Sequence, residues 1–81
     1  MTNVWYLNKI GENHFEQYFF IADLKLSDLE IKERIKNEKF IGFKNVDQDF
    51  MEDILHCIDT DFYFDVTRNK NYAYVSILSP G

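Results

Sequence analysis

Asp49, Glu52, Asp53 and His56 combine residue types that ligate divalent metals with the i, i+3, i+4, i+7 spacing that makes neighbours on a helix. Carboxylates and an imidazole gathered on one face are the usual donors of a metal site. The chain has only two histidines, however, and His14 and His56 are too far apart in sequence to form an HExxH-type pair. A solvated acidic face accounts for the cluster without a metal. Asp61 and Asp65 form a second carboxylate pair, suited to proton transfer, but no Gly-rich loop stands nearby to build a pocket around them. His56 and Cys57 supply a base and a thiol, yet adjacent helical residues point about 100° apart. As the single cysteine, Cys57 has no partner for a disulfide or CxxC pair and suits a small core position. No phosphate-cradling glycine motif and no GxSxG motif is present. These residues lead us to expect a protein that is not an enzyme and uses no metal or cofactor.

Charge says more about partners. The net charge of −5 argues against nucleic acid or an anionic membrane, either of which would be repelled over much of the surface. Residues 47–66 hold Asp47, Asp49, Glu52, Asp53, Asp59, Asp61 and Asp65 with no Lys or Arg, whereas 27–46 sets four acids against five bases. The negative field is therefore expected on one side. In "KERIKNEK" the bases alternate with acids, and Asp28 precedes Lys32, and Glu30 Arg34, by four residues. That order supports a helix through weak ion pairs and does not suggest a nucleic-acid site. No apolar run approaches the roughly 18–20 residues of a membrane span, and "MTNVWYLNKI" lacks a secretory pattern, so a cytoplasmic protein is expected.

Patterning along the chain indicates the elements that must position these residues. At 81 residues, with 46% hydrophobic and 17% aromatic side chains, the chain suits one ordered domain. "NVWYLNKI" and "HFEQYFFIADL", parted by "GEN", predict an N-terminal hairpin with strands near 3–10 and 15–23. In "LSDLEIKERIKNE", Ser27 and Glu30 have capping-box spacing, with Leu26 and Ile31 as the hydrophobic staple, and predict a helix near 28–37. "KFIGFKNV" reads as a loop or short strand on the core. Asp47 can cap a second helix whose stripe is Phe50, Met51, Ile54, Leu55, Cys57 and Ile58. "DFYFDVT" and "YAYVSIL", joined by "RNKN", close the chain as a second hairpin. The expected class is α+β: an antiparallel sheet of about four strands with two helices on one face, in the order β-β-α-(β)-α-β-β.

Strand alternation then divides the last hairpin into two faces. Phe62, Phe64 and Val66, with Ala73, Val75 and Ile77, belong to the core. Asp61, Tyr63, Asp65 and Thr67, with Tyr72, Tyr74 and Ser76, point away from it. Three tyrosines on that face either merely solvate the sheet or serve contact, since tyrosine offers a large rigid area and a polar tip. The aspartates beside them would steer and pair with a basic partner. The N-terminal hairpin extends this face through Tyr18 and Phe20 or through Trp5; both its faces are apolar, so alternation leaves the choice open.

In size, in the one-sided acidic field of "DQDFMEDILHCIDTD", and in the closing pair "DFYFDV" and "NYAYVSI", the chain resembles the small acidic immunity proteins of bacterial toxin–immunity systems, including contact-dependent inhibition and colicin-like toxins. The resemblance implies an inhibitor that binds a cognate toxin domain, commonly a nuclease with a basic active site. The contact residues would be Asp61, Tyr63, Asp65, Tyr72 and Tyr74, with Asp49, Glu52 and Asp53 as a second acidic patch. Two other classes share parts of the pattern. One is a phage-encoded inhibitor of host defence that mimics nucleic acid, and the other a subunit or homo-oligomer that buries its tyrosine face.

Overall fold

The computed structural model describes residues 3–12, 15–42, 52 and 63–79. Strands β1 (Val4–Glu12) and β2 (Phe15–Ala22) form the first hairpin, helix α1 spans Asp28–Lys36, and β3 (Phe64–Arg68) with β4 (Ala73–Ser79) forms the second. All neighbours are antiparallel, and the spatial order β1-β2-β4-β3 places β2 and β4 inside, with β1 and β3 as edges. Paired rungs Tyr18 with Ile77, Phe20 with Val75, and Ala22 with Ala73 run down one face of the two inner strands. Those six residues are buried, together with Val4, Leu26, Ile31 and Ile35. Helix α1 thus lays Ile31 and Ile35, four residues apart on one stripe, on the side of the sheet that holds this core.

The helix starts where the capping spacing places it. The Glu30 N–H donates to Ser27 Oγ at 3.1 Å, and the Ser27 N–H donates to Glu30 Oε1 at 3.0 Å. Its end is a Schellman turn: Lys39 N–H bonds to Arg34 O at 2.7 Å and Glu38 N–H to Ile35 O at 3.1 Å, with Glu38 at φ +58°. From there Phe40 turns inward beside Tyr6 and Phe20, its ring 5.2 Å from that of Phe20 and edge-on to it. Ile41 then runs parallel to Trp5, accepting from Tyr6 N–H at 2.7 Å and donating to Val4 O at 2.9 Å.

The described elements run β-β-α-β-β, and the described part of the parenthetical strand forms a single bridge at Ile41. The expected second helix and its stripe fall outside the described residues, apart from Glu52 on its other side, which is helical. Within β1 the register slips between Tyr6, which faces Phe20, and Asn8, which faces Phe19, so Leu7 is a bulge without a partner on β2. A period-2 reading cannot see this extra residue, because its neighbours Trp5 and Tyr6 are also apolar.

Candidate functional site

Alternation and register together define the face of the sheet turned away from α1. Its rungs are Trp5, Ile21, Tyr74 and Thr67; then Asn8, Phe19, Ser76 and Asp65; then Ile10, Gln17 and Leu78. The bulge at Leu7 is what keeps Asn8 and Ile10 on the same side as Trp5. Among the described elements none lies over this face, and α1 packs on the other side.

The inner part of the face is half-buried and largely apolar, from Trp5 through Phe19, Ile21 and Tyr74 to Leu78. The Phe19 and Tyr74 rings lie 5.7 Å apart, inclined at 53°, across the seam between β2 and β4. Gln17 Nε2 donates to Ser76 Oγ at 2.7 Å across the same seam, so these two polar groups satisfy each other. The rim is more open: Asp65, Thr67 and Asn8 are exposed, and Ile10 is 59% exposed. An apolar centre with a polar rim is the anatomy of a protein-docking surface. A single Ile left 59% in water is unremarkable by itself; its place at the end of a row of aromatic and aliphatic side chains gives it meaning.

The residues expected from sequence are distributed unevenly. Asp65 and Tyr74 are diagonal neighbours on the open face, because Asp65 pairs with Ser76 and Thr67 with Tyr74. Tyr72 stands before β4 in the connecting turn, 38% exposed, with its N–H held by Asn69 Oδ1 at 2.9 Å. Tyr63 requires a correction: it sits in a turn one residue before β3, and its half-buried side chain packs against the core cluster. Strand alternation does not apply to a residue that precedes the strand. Glu52 is exposed, whereas Asp49, Asp53 and Asp61 lie outside the described residues, as do His56 and Cys57. The N-terminal hairpin also resolves in one direction, with Tyr18 and Phe20 inside and Trp5, Phe19 and Ile21 outside. Sequence reasoning missed Phe19, Ile21, Ile10 and Leu78, and for Phe19 and Ile21 the available signal was the polar Gln17 that shares their parity on β2.

Elsewhere, Tyr6 belongs to the core side, where burial pushes its hydroxyl pKa up. On the solvent side of α1 a shallow recess is lined by Leu29, Glu33, Arg34 and Lys39, whose mixed charges select no ligand class. Among the described residues, no group of three or more His, Cys, Asp or Glu is placed to hold a metal ion, and no helix is long and apolar enough to cross a membrane. Compared with protein-family models, with curated proteins and with solved structures, the chain finds no match.

Proposed function

We propose that the open sheet face is a docking surface for another protein, and that the chain is an immunity protein that binds and neutralises a cognate bacterial toxin domain, commonly a nuclease, in the cytoplasm. The observation that carries the docking reading is the placement of Tyr74 beside Phe19 and diagonal to Asp65 on the face opposite α1. The net charge of −5 and the acid-only stretch 47–66 support a basic partner. A nucleic-acid mimic needs an array of carboxylates spaced like phosphates. The stretch 27–46, with four acids against five bases, breaks such an array and favours protein docking over mimicry.

The two kinds of contact contribute differently. A buried aromatic anchor in an interface commonly carries about 2 kcal/mol or more, while an exposed ion pair carries about 0.2–1 kcal/mol. Tyr74, with Phe19 and Trp5, therefore sets the lifetime of the complex, and Asp65 chiefly steers its formation. Tyr72 lies at the rim. Asp49, Glu52, Asp53 and Asp61 belong to the proposal as the acidic flank.

The test uses the product of the neighbouring gene, where a cognate toxin is expected. Binding is measured by calorimetry and stopped-flow at two salt concentrations. Tyr74→Ala is expected to raise the dissociation rate at least about tenfold, and Asp65→Asn to lower the association rate and its salt dependence, with little change in Tm. Full neutralisation by the double variant would sink the assignment of this face.

A further inference from the structure

The edge of the sheet at β3 carries an inference separate from the open face. Leu78 N–H bonds to Tyr63 O at 2.9 Å, and Asn69 N–H bonds to Tyr72 O at 3.1 Å. Residues of one parity on an antiparallel strand direct both main-chain groups at the same neighbour. Tyr63, Asp65, Thr67 and Asn69 therefore face β4, while the N–H and C=O groups of Phe64, Val66 and Arg68 point outward. None of the described hydrogen bonds from another segment reaches those outward groups. The opposite edge is treated differently: Ile41 occupies Val4 and Tyr6 on β1, and the Leu7 bulge interrupts the strand beyond them. Edges protected in that way do not template pairing, and among the described residues β3 has neither device.

We infer that the outer edge of β3 is an interface for a second copy of this chain, with two β3 strands antiparallel about a two-fold axis through Val66. In that register Phe64, Val66 and Arg68 meet one another, so every outward N–H finds an outward C=O. Side-chain chemistry selects among the in-phase alternatives. An axis through Asp65 would oppose two aspartates, at a cost. An axis through Thr67 would leave Phe64 outside the paired strand. The Val66 axis places Asp65 opposite Thr67 twice, where a hydroxyl can donate to a carboxylate, and Phe64 opposite Arg68, so that no like charges face each other. This closed, isologous contact joins two four-stranded sheets into one and brings two open faces side by side. Five-residue strands bury less than the ~1,000 Å² of a stable interface, so the dimer is weak and forms at high micromolar concentration.

Light scattering and sedimentation of the full chain, from about 10 μM to about 1 mM, provide the test. The mass is expected to rise from 9.8 kDa toward twice that value. Thr67→Asp, which sets like charges opposite each other, is expected to weaken the dimer at least tenfold. Thr67→Lys, which faces Asp65 with a cation, is expected to tighten it severalfold. Val66→Pro removes an outward N–H while leaving the ladder to β4 intact, and is expected to abolish dimerisation in a folded chain. Circular dichroism confirms folding of each variant, and the two Thr67 variants decide the matter should Val66→Pro not fold. A monomer throughout the range overturns the inference. So does a dimer that ignores both Thr67 variants and dissociates with Tyr74→Ala, because self-association would then run through the open face.

Discussion

Arg68, the last residue of β3, reaches Asp28, the first residue of α1, with Nη2 2.6 Å from Oδ1. The same guanidinium donates to Leu26 O at 2.9 Å and Leu24 O at 3.3 Å. One side chain thereby ties the entry of the helix to an edge strand forty positions later. The carboxylate is 65% exposed, so the ion pair itself contributes little; the carbonyls matter more, since each loses a charge-assisted donor if the arginine is removed. Arg68→Ala is expected to lower unfolding free energy by about 1–3 kcal/mol, and Asp28→Ala by less than about 1 kcal/mol. Urea denaturation of both variants checks the ranking, and equal losses would show that the ion pair, not the carbonyl clamp, holds the helix.

Gly42 has φ +103°, and a Cβ there would lie 2.9 Å from the Tyr6 carbonyl oxygen. Backbone strain and a clash with main chain act together, and neither is relieved by a side-chain rotation. Gly42→Ala is expected to cost about 1–3 kcal/mol. The local readout is faster amide exchange at Tyr6 and Ile41, whose N–H groups form the bridge beside it.

Glu38 bears the usual penalty of a side chain at positive φ in order to close the Schellman turn after α1. Replacing it with glycine removes that penalty and keeps both closing hydrogen bonds. Glu38→Gly is expected to raise stability by about 0.5–1 kcal/mol. Thermal denaturation should show an increase in Tm, and a decrease would mean that the left-handed conformation is not strained here.

The Glu30 carboxylate is held below its ordinary pKa, first by the hydrogen bond from the Ser27 backbone and next by the Ser27 side chain, with a smaller contribution from Arg34. A folded-state pKa below that of the unfolded chain stabilises the fold above the ordinary carboxylate range, and this contribution disappears as pH falls through the folded value. Glu30→Gln is expected to be less stable than the parent near neutral pH and to converge with it once the pH has fallen below the lowered folded-state value. Parallel Tm curves for the two proteins between those limits would show that the charge does not contribute.

Much of this architecture is legible in the sequence because its signals are local. Ser27 and Glu30 predict the start of α1, and the alternation of Ala73, Val75 and Ile77 with Tyr74 and Ser76 predicts which side of β4 is buried. Legibility fails where alternation carries no contrast. From Tyr18 to Ile21 every residue is apolar, so only the pairing of β2 with β4 tells that Tyr18 and Phe20 face inward. Alternation misplaces Tyr63 because the strand begins only after it, at Phe64. The central aromatic group of the candidate site is hidden for a related reason, since Phe19 and Tyr74 are 55 positions apart and meet only through tertiary pairing.

Leu7 bears on any alignment of this chain with others. As an unpaired extra residue, it acts on β1 as a single-base insertion acts on a coding frame: upstream, odd positions look outward, and downstream, even positions do. A relative that lacked it would keep the same surface with its numbering shifted by one. A substitution at that position would change little, while a further insertion beside it would exchange the wet and dry sides of everything as far as Gly11.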